Sequence, residues 1–226
     1  TDDIRQVAKI KILGNKKKGL GFDQLLYIKN QEPFEISVFN SDGSEADNCI
    51  NGLRCIAYLY GLKHEEILIK DNKFIVDSDE KGATVTGSLP HVKKHNDHYI
   101  IKFGNNHIAK EHNDINLIDL EDEYLKLKSS KKFKEVPNFN LSVFQISEDQ
   151  IDIRTYENGA GETLSCGSAT ISVAYALLKD TNKNELLFTS RGGKTKVYRD
   201  ELSISSKADA VILEQGYLNE WTKKKT

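Results

Sequence analysis

The chain has 226 residues, which is enough for one large domain or two small ones with separate cores. Charged residues make up 29% and the formal net charge is −2, so we expect neither a nucleic-acid partner nor an anionic-membrane partner. No apolar run approaches the roughly 20 residues that span a bilayer. Three cysteines are too few for a disulfide framework, so we expect reduced thiols in a cytoplasmic protein.

The first part of the chain predicts a mixed α+β fold with mostly antiparallel strands. A helix is expected from Ile4, with Thr1 as its cap and Gly14 and Asn15 at its end. Because the chain contains no methionine, we also expect that a segment precedes Thr1. A second helix is expected at 53–62. The predicted strands are 25–28, 34–39, 67–69, 74–78 and 83–87.

A polar stretch, residues 90–98, is the expected boundary between two halves, 1–91 and 92–210. Beyond it, the patterns predict helices at 114–127 and 169–178. The predicted strands of this half are 99–103, 142–146, 151–156, 186–189, 196–198 and 201–204. Residues 211–226 are expected to return to the first half as a terminal strand.

One sequence pattern occurs twice, at 39–52 and at 156–169, with an offset of 117 residues. Each copy opens with an aromatic residue, reaches a cysteine (Cys49 or Cys166) and then enters an apolar helical pattern. A repeat of this length predicts two similar half-domains rather than a solenoid. If a pseudo-twofold axis relates them, the two cysteines face each other across a shared cleft.

Each of these cysteines is predicted at a loop-to-helix junction, where unpaired N–H groups can hold a carboxylate. The helix dipole there is expected to lower the thiol pKa. Two opposed thiols suit proton removal from one face of a carbon and proton return to the other. Cysteines are often simply buried, and Cys55, on the apolar helix face, is assigned to packing. Cys49 and Cys166 differ because they recur in matching polar, glycine-rich motifs.

Residues 40–55 and 157–168 resemble the two cysteine signatures of the diaminopimelate epimerase family. Weaker matches are 21–26, 104–107 and Asn140, and the resemblance covers nearly the whole chain. It implies an α+β fold of two pseudo-symmetric α/β half-domains, each a mostly antiparallel barrel-like sheet around a central helix. It also implies interconversion of LL- and meso-diaminopimelate, for lysine and peptidoglycan synthesis, without cofactor or metal.

The resemblance implies a role for each matching residue. Cys49 and Cys166 are the acid/base thiols, and His107, with Glu157, tunes them. The backbone N–H groups that hold the carboxylate at the reacting centre are those of Ile50, Asn51, Gly167 and Ser168. The residues that bind the rest of the amino-acid substrate are Gln24, Asn40, Asn105, Asn140, Glu157 and Asn158. We also expect a homodimer.

The chain departs from the family at three places. Ile50 replaces a glycine, so the backbone there is either ordinary or the loop is altered. Asn158 replaces an arginine, whose charged fork an asparagine cannot reproduce. The family's N-terminal strand and its Gly-Asn-Asp-Phe loop have no match in this chain. Two alternatives therefore stay open: a racemase of another amino acid on the same fold, and a homologue that has lost catalysis and only binds or assembles.

Overall fold

The structure, a computed structural model, describes residues 5–148 and 150–217. The expected cap at Thr1 and helix start at Ile4 lie outside these residues. The fold is mixed and consists mostly of sheet. Its α-helices in the described residues are α1 (Val7–Gly14), α2 (Ile50–Tyr60), α3 (Leu120–Ser129) and α4 (Gly167–Leu178). None of them combines the length and the apolar character that crossing a membrane requires.

The strands form one continuous hydrogen-bonded array. Its first segment consists of β1 (Gln24–Gln31), β2 (Phe34–Asn40), β3 (Glu45–Ala46), β4 (Glu65–Ile69), β5 (Asn72–Ser78) and β6 (Gly82–Ser88). The strands that follow are β7 (His91–His95), β8 (His98–Phe103) and β9 (Asn105–Glu111). The second segment consists of β10 (Phe139–Ile146), β11 (Ile151–Glu157), β12 (Gly161–Thr163), β13 (Glu185–Ser190), β14 (Gly193–Arg199) and β15 (Ser203–Asp209).

The order of strand pairing in the first segment recurs in the second. β2 pairs antiparallel with β1 and parallel with β4, and β3 folds back on it. β11 pairs antiparallel with β10 and parallel with β13, and β12 folds back on it. Parallel neighbours need a crossover, which α2 supplies in the first segment and α4 in the second. Each crossover helix therefore begins just after the short strand that follows the main one.

The two segments meet where β6 pairs antiparallel with β15, in the middle of the strand order. β7, β8 and β9 extend the array beyond β10. The polar stretch 90–98, expected as a boundary, thus contributes β7 and the turn to β8. That turn is made by Asn96, which has a positive φ of 53°.

The two crossover helices are buried to different extents. α4 is apolar all round and is buried at most of its positions. α2 buries only one face, through Leu53, Ile56 and Ala57. Cys55 lies on the opposite side of α2 and is exposed, so its assignment to packing was wrong. The helical period of 3.6 residues places it away from that buried face.

The predicted helix at 114–127 is divided in two. A 3-10 turn at Ile115–Leu117 precedes α3, which begins after Asp119. The Asp119 side chain accepts the Asp122 backbone N–H at 3.0 Å and so caps the start of α3. A capping side chain at this point starts a new helix instead of continuing an earlier one.

The predicted terminal strand is wrong over 211–217, where the chain has no regular structure. These residues instead form one wall of a cavity whose other wall includes Leu20, Tyr58 and Leu59. The rest of that expected strand, 218–226, lies outside the described residues.

Candidate active site

A cavity of about 320 Å³ lies where α2 and α4 begin, and both repeated cysteines line it. The cysteine loops arrive there because each crossover helix starts directly after its cysteine. The sequence-predicted site residues that line the cavity are Gln24, Asn40, Cys49, Ile50, Asn51, Asn105, Glu157, Cys166, Gly167 and Ser168. Residues 117 positions apart thus meet at one site.

Cys49 is the N-cap of α2. Its sulfur accepts the backbone N–H of Gly52 at 3.1 Å, which satisfies one of the unpaired donors of the helix start. Ile50 follows as the first helical residue and is 1% exposed. It is not among the described residues with positive φ, so the backbone is ordinary and accommodates a β-branched residue.

Cys166 caps α4 in the same place but is more deeply buried, at 7% exposure. Its sulfur lies 3.4 Å from the hydroxyl oxygen of Ser168. The next residue, Gly167, packs directly on the start of α2. A Cβ atom at Gly167 would lie 2.8 Å from the Ile50 Cβ and 2.8 Å from the Asn51 Oδ1. The two helix starts are therefore in contact, and only glycine fits between them.

Glu157 is the carboxylate that lies beside the Cys166 thiol. The Thr163 hydroxyl donates to Glu157 Oε1 at 2.6 Å. Burial raises the pKa of Glu157, while Thr163 and Cys166 lower it in part. A carboxyl group with a raised pKa is suited to exchanging a proton with a thiol.

Both thiols have a higher pKa than a free cysteine. Burial raises the pKa of Cys49 to about 12, although part of the residue is exposed, and the Gly52 N–H lowers it only in part. Burial, and then the Glu157 charge, raise the pKa of Cys166 well above its ordinary value. The expectation of lowered thiol pKa values was therefore wrong, because desolvation outweighs the helix start. Both residues rest as neutral thiols.

The opposite wall of the cavity is held by amides. Gln24 Nε2 donates to Asn40 Oδ1 at 3.0 Å, and Asn40 Nδ2 donates to Ser44 Oγ at 3.0 Å. Asn105 follows Gly104, whose φ is +64° and which packs against the Asn48 amide. Asn48 Nδ2 donates to the Phe103 carbonyl at 2.9 Å and so fixes this turn beside the Cys49 loop.

Three predicted site residues do not line the cavity. Asn140 Oδ1 accepts the Asn158 N–H at 2.9 Å, and Asn158 Oδ1 accepts the Tyr124 hydroxyl at 2.8 Å. Both lie beside Glu157, outside the cavity wall. His107 is 1% exposed, and its ring nitrogens have no hydrogen-bond partner among the described residues. Burial lowers the pKa of His107 to about 3, so the imidazole is neutral.

Sequence reasoning missed two residues that shape the site, Asn48 and Thr163. Both lie inside the quoted signatures, Asn48 directly before Cys49 and Thr163 three residues before Cys166. Their roles were hidden because Asn48 acts on a turn 55 residues away and Thr163 acts across a tight β-turn pair. The role of a buried amide such as Asn48 depends on long-range contacts, which the local sequence does not show.

The cavity offers polar groups but no cation. Among its lining residues there is no lysine, arginine or histidine, whereas Asp23 and Glu157 supply carboxylates. Within residues 5–148 and 150–217, no three His, Cys, Asp or Glu side chains gather so that they could hold a metal ion. The groups that can hold an anion are thus the backbone N–H groups at the two helix starts.

Solved structures share this architecture. A PhzC/PhzF-type phenazine biosynthesis protein from Clostridium difficile superimposes with a TM-score of 0.65 at 12% identity, covering 96% of this chain and 88% of that one. A predicted epimerase from Pseudomonas aeruginosa superimposes with a TM-score of 0.58 at 13% identity, covering 95% and 92%. At these identities the likeness defines the fold: this is a protein of the epimerase/PhzF fold class.

Comparison with curated sequences identifies a family within this fold class. No protein-family model matches the chain. The diaminopimelate epimerase of Vesicomyosocius okutanii is 31% identical over 216 residues, covering 82% of this chain and 79% of that protein. The diaminopimelate epimerase of Flavobacterium psychrophilum is 28% identical over 215 residues, covering 88% and 83%. The chain belongs to the diaminopimelate epimerase family.

Proposed function

We propose that this protein is an amino-acid epimerase that converts LL-diaminopimelate to meso-diaminopimelate with two cysteine thiols and no cofactor. One observation carries the proposal: Cys49 and Cys166, from matching places in a repeated motif, line one cavity at the starts of two contacting helices. The family relationship supplies the substrate. The reaction serves lysine and peptidoglycan precursor synthesis.

The substrate carboxylate at the reacting centre binds between the two helix starts. Backbone N–H groups of Ile50 and Asn51 approach from α2, and those of Gly167 and Ser168 approach from α4. A helix start binds anions because its first N–H groups lack helical partners and the dipole is positive there. These donors also stabilise the negative charge that develops on the carboxylate when the α-proton leaves.

The proton transfers then follow from the environments of the two thiols. Glu157 takes the proton of the neighbouring Cys166 thiol, and the raised pKa of Glu157 brings its proton affinity closer to that of a thiol. The Cys166 thiolate removes the substrate α-proton, and the Cys49 thiol gives its proton to the opposite face. This leaves Cys166 as a thiol, Glu157 protonated, and Cys49 as a thiolate, which the Gly52 N–H stabilises at 3.1 Å. Loss of the Glu157 proton and uptake of a proton by Cys49 then restore the two neutral thiols. Reaction in the other direction reverses the roles.

The repeated order of strand pairing supports a further part of the proposal. We infer that the two halves are related by a pseudo-twofold axis that passes between β6 and β15. This axis would relate α2 to α4 and each cysteine to the other. A twofold arrangement suits a substrate whose reacting carbon must be reached from both faces.

A second candidate is a racemase of an amino acid that lacks the distal carboxylate. Two observations favour it. No cationic side chain is among the cavity-lining residues. The side-chain oxygen Oδ1 of Asn158 already accepts a hydrogen bond from the Tyr124 hydroxyl. A carboxylate that leaves water without a cation loses a charge-assisted contact of about 1.5–3 kcal/mol. The cavity would then favour a neutral or cationic distal group.

Incubation with LL-diaminopimelate in deuterium oxide tests the proposal. NMR should show deuterium entering one α-position together with conversion to the meso isomer. Cys55→Ala serves as the matched control for the two thiols, because Cys55 also lines the cavity but lies within α2 instead of at a helix start. The absence of exchange in the wild-type protein would contradict the proposed reaction. Exchange into a monocarboxylic amino acid instead would establish the second candidate.

A further inference from the structure

Arg54 is a buried cation that the proposed mechanism does not use. The residue is 4% exposed, and its hydrogen-bond partners among the described residues are neutral. Its Nη1 donates to Asn51 Oδ1 at 2.7 Å and its Nη2 donates to Ser206 Oγ at 2.7 Å. Nε has no hydrogen-bond partner in the described part of the chain. Burial lowers the pKa of Arg54 to about 10, so it remains charged at neutral pH.

A buried arginine with only neutral partners costs stability, because desolvation of its charge is not repaid by an ion pair. The location of Arg54 relative to the two cavities indicates its role. Arg54 is not among the residues that line the thiol cavity; it lines a separate cavity of about 680 Å³. Asn51, Cys55 and Ser165 line both cavities and so form the wall between them. Arg54 therefore reaches the site through Asn51.

The Asn51 amide joins the two cysteine loops. Its Nδ2 donates to the Ser165 carbonyl at 3.0 Å, and Ser165 directly precedes Cys166. Asn51 itself is the second residue of α2, two positions after Cys49. This hydrogen bond thus connects residues that are neighbours of the two thiols but 114 positions apart in the sequence.

Arg54 determines which way the Asn51 amide points. An arginine has donors and no acceptor, so the amide must turn its oxygen toward the guanidinium. The amide nitrogen then faces Ser165, whose carbonyl can only accept. The reversed amide would set donor against donor at Arg54 and oxygen against oxygen at Ser165. The second guanidinium nitrogen donates to Ser206 on β15, a contact that leaves the direction of the Asn51 amide unchanged.

We propose that Arg54 is a positioning residue, which holds the Asn51 amide in the orientation that ties the Cys49 loop to the Cys166 loop. This proposal rests on the proposed two-thiol function and adds a determinant of the spacing between the thiols. Proton transfer is sensitive to that spacing: a misplacement of about 1 Å can cost roughly a hundredfold in rate. Substrate binding is less sensitive, because hydrogen bonds tolerate donor–acceptor distances of about 2.7–3.2 Å.

The first test separates kcat from KM. Arg54→Met removes all the donors, and Arg54→Lys keeps the charge but not the fork. Ser206→Ala is the matched control, since it removes the other hydrogen bond of the same guanidinium and leaves Asn51 in place. We expect kcat to fall about 10- to 100-fold in both Arg54 variants, with KM within about threefold. Ser206→Ala should keep kcat within about threefold. Equal kcat losses in all three variants at equal thermal midpoints would show a merely structural role.

The second test uses Asn51→Asp, which gives Arg54 a carboxylate partner but removes the donor to the Ser165 carbonyl. If Arg54 only needed a better partner, this variant would be active and more stable. Positioning predicts a stable protein whose kcat falls as far as in Arg54→Met. Full activity of Asn51→Asp would overturn the proposal.

The third test is a double-mutant cycle of Arg54→Met and Asn51→Ala. Residues that act through one contact have non-additive effects. The kcat of the double variant should therefore equal that of Asn51→Ala within about threefold, whereas multiplied losses would contradict a role through Asn51.

A measurement without turnover keeps this inference separate from the proposed function. In the ¹⁵N-labelled protein, the Asn51 side-chain NH₂ should be protected from solvent exchange, and Arg54→Lys should remove that protection while Ser206→Ala retains it. No protection in the wild type would overturn the positioning role even if epimerisation is found. Protection together with no epimerisation would contradict only the proposed reaction.

Discussion

The two cysteine loops share a chain path but differ in their surroundings. Cys49 caps a helix that buries one face, is partly exposed, and receives a backbone N–H from Gly52. Cys166 caps a helix that is buried at most positions, and it lies against Glu157. The position 117 residues before Glu157 is Asn40, a neutral amide bound to Gln24 and Ser44. Two loops that follow the same order of strand pairing thus hold two chemically unequal thiols.

In the proposed two-thiol reaction, this difference would let a repeated pattern serve two unlike steps. Matching backbones place both sulfurs at helix starts, where the geometry must be the same. The neighbouring side chains differ, and the proposed reaction requires one thiol to lose its proton first. The Glu157 charge raises the pKa of both thiols, and in the proposed reaction Glu157 takes its proton from Cys166.

Removing either thiol should have the largest effect. In Cys49→Ala and Cys166→Ala, epimerisation should be lost, at least about 10³-fold in kcat, because one thiol cannot serve both faces of the carbon. Cys55→Ala should retain most of the activity. The measurement is conversion of LL- to meso-diaminopimelate by NMR. Full activity in either of the first two variants would refute the two-thiol mechanism.

Glu157→Gln should remove the inequality between the loops. The glutamine can still accept the Thr163 hydroxyl but cannot take up the Cys166 proton. We expect kcat to fall about 10²-fold, as is usual for loss of a general base. Thr163→Val keeps the carboxylate and should cost about tenfold or less. Steady-state kinetics in both directions would measure this, and equal effects of the two substitutions would contradict the role of the carboxylate.

Asn158→Arg tests the substrate assignment. Asn158 directly follows Glu157, the carboxylate that distinguishes the second loop. If diaminopimelate is the substrate, a restored bidentate contact of about 1.5–3 kcal/mol should lower KM roughly ten- to a hundredfold. Both thiols should still be required. Tyr124→Phe is the control, since it frees the Asn158 carbonyl oxygen without adding charge. An unchanged KM, with turnover of a monocarboxylic amino acid, would support the alternative racemase.

Gly167→Ala should disturb the contact that holds the loops together. The added Cβ would lie 2.8 Å from the Ile50 Cβ, so one of the helix starts must shift. We expect the free energy of unfolding to fall by about 1–3 kcal/mol, which urea denaturation would measure. Adding Ile50→Gly should restore part of that loss. Unchanged stability in the single variant would show that the helix starts are not in tight contact.

The smallest effect should be a pH dependence of stability that comes from Cys49. Because its pKa rises to about 12 on folding, the native thiol stays protonated where the unfolded one ionises. Its contribution is fully present below the unfolded pKa of about 8.5 and is lost as pH rises toward 12. The free energy of unfolding from pH 8 to 11, measured by urea denaturation, should therefore fall more steeply for the wild type than for Cys49→Ala, by at most about 1.4 kcal/mol per pH unit. Parallel curves would contradict the raised pKa.

Local pattern predicted much of this molecule. Period-two alternation indicated β2 and β11, and apolar helical spacing after each cysteine indicated α2 and α4. The repeat and the signatures led to most residues that line the cavity. The predictions that failed concern surroundings: the exposure of Cys55 and the raised thiol pKa values depend on which groups pack nearby. The expected strand at 211–217 failed as well, because alternation does not provide a pairing partner.

The pairing of β6 with β15 has a consequence for how the site forms. β15 pairs Ser203 to Asp209 with Ser88 to Gly82, so more than a hundred residues lie between the paired strands. During synthesis the first half leaves the ribosome well before β15 does. Its Cys49 loop is therefore made before the Cys166 loop that it contacts in the folded protein. Closing such a long loop is entropically costly and slow. The pairing that joins the two halves therefore becomes possible only after both cysteine loops have been synthesised.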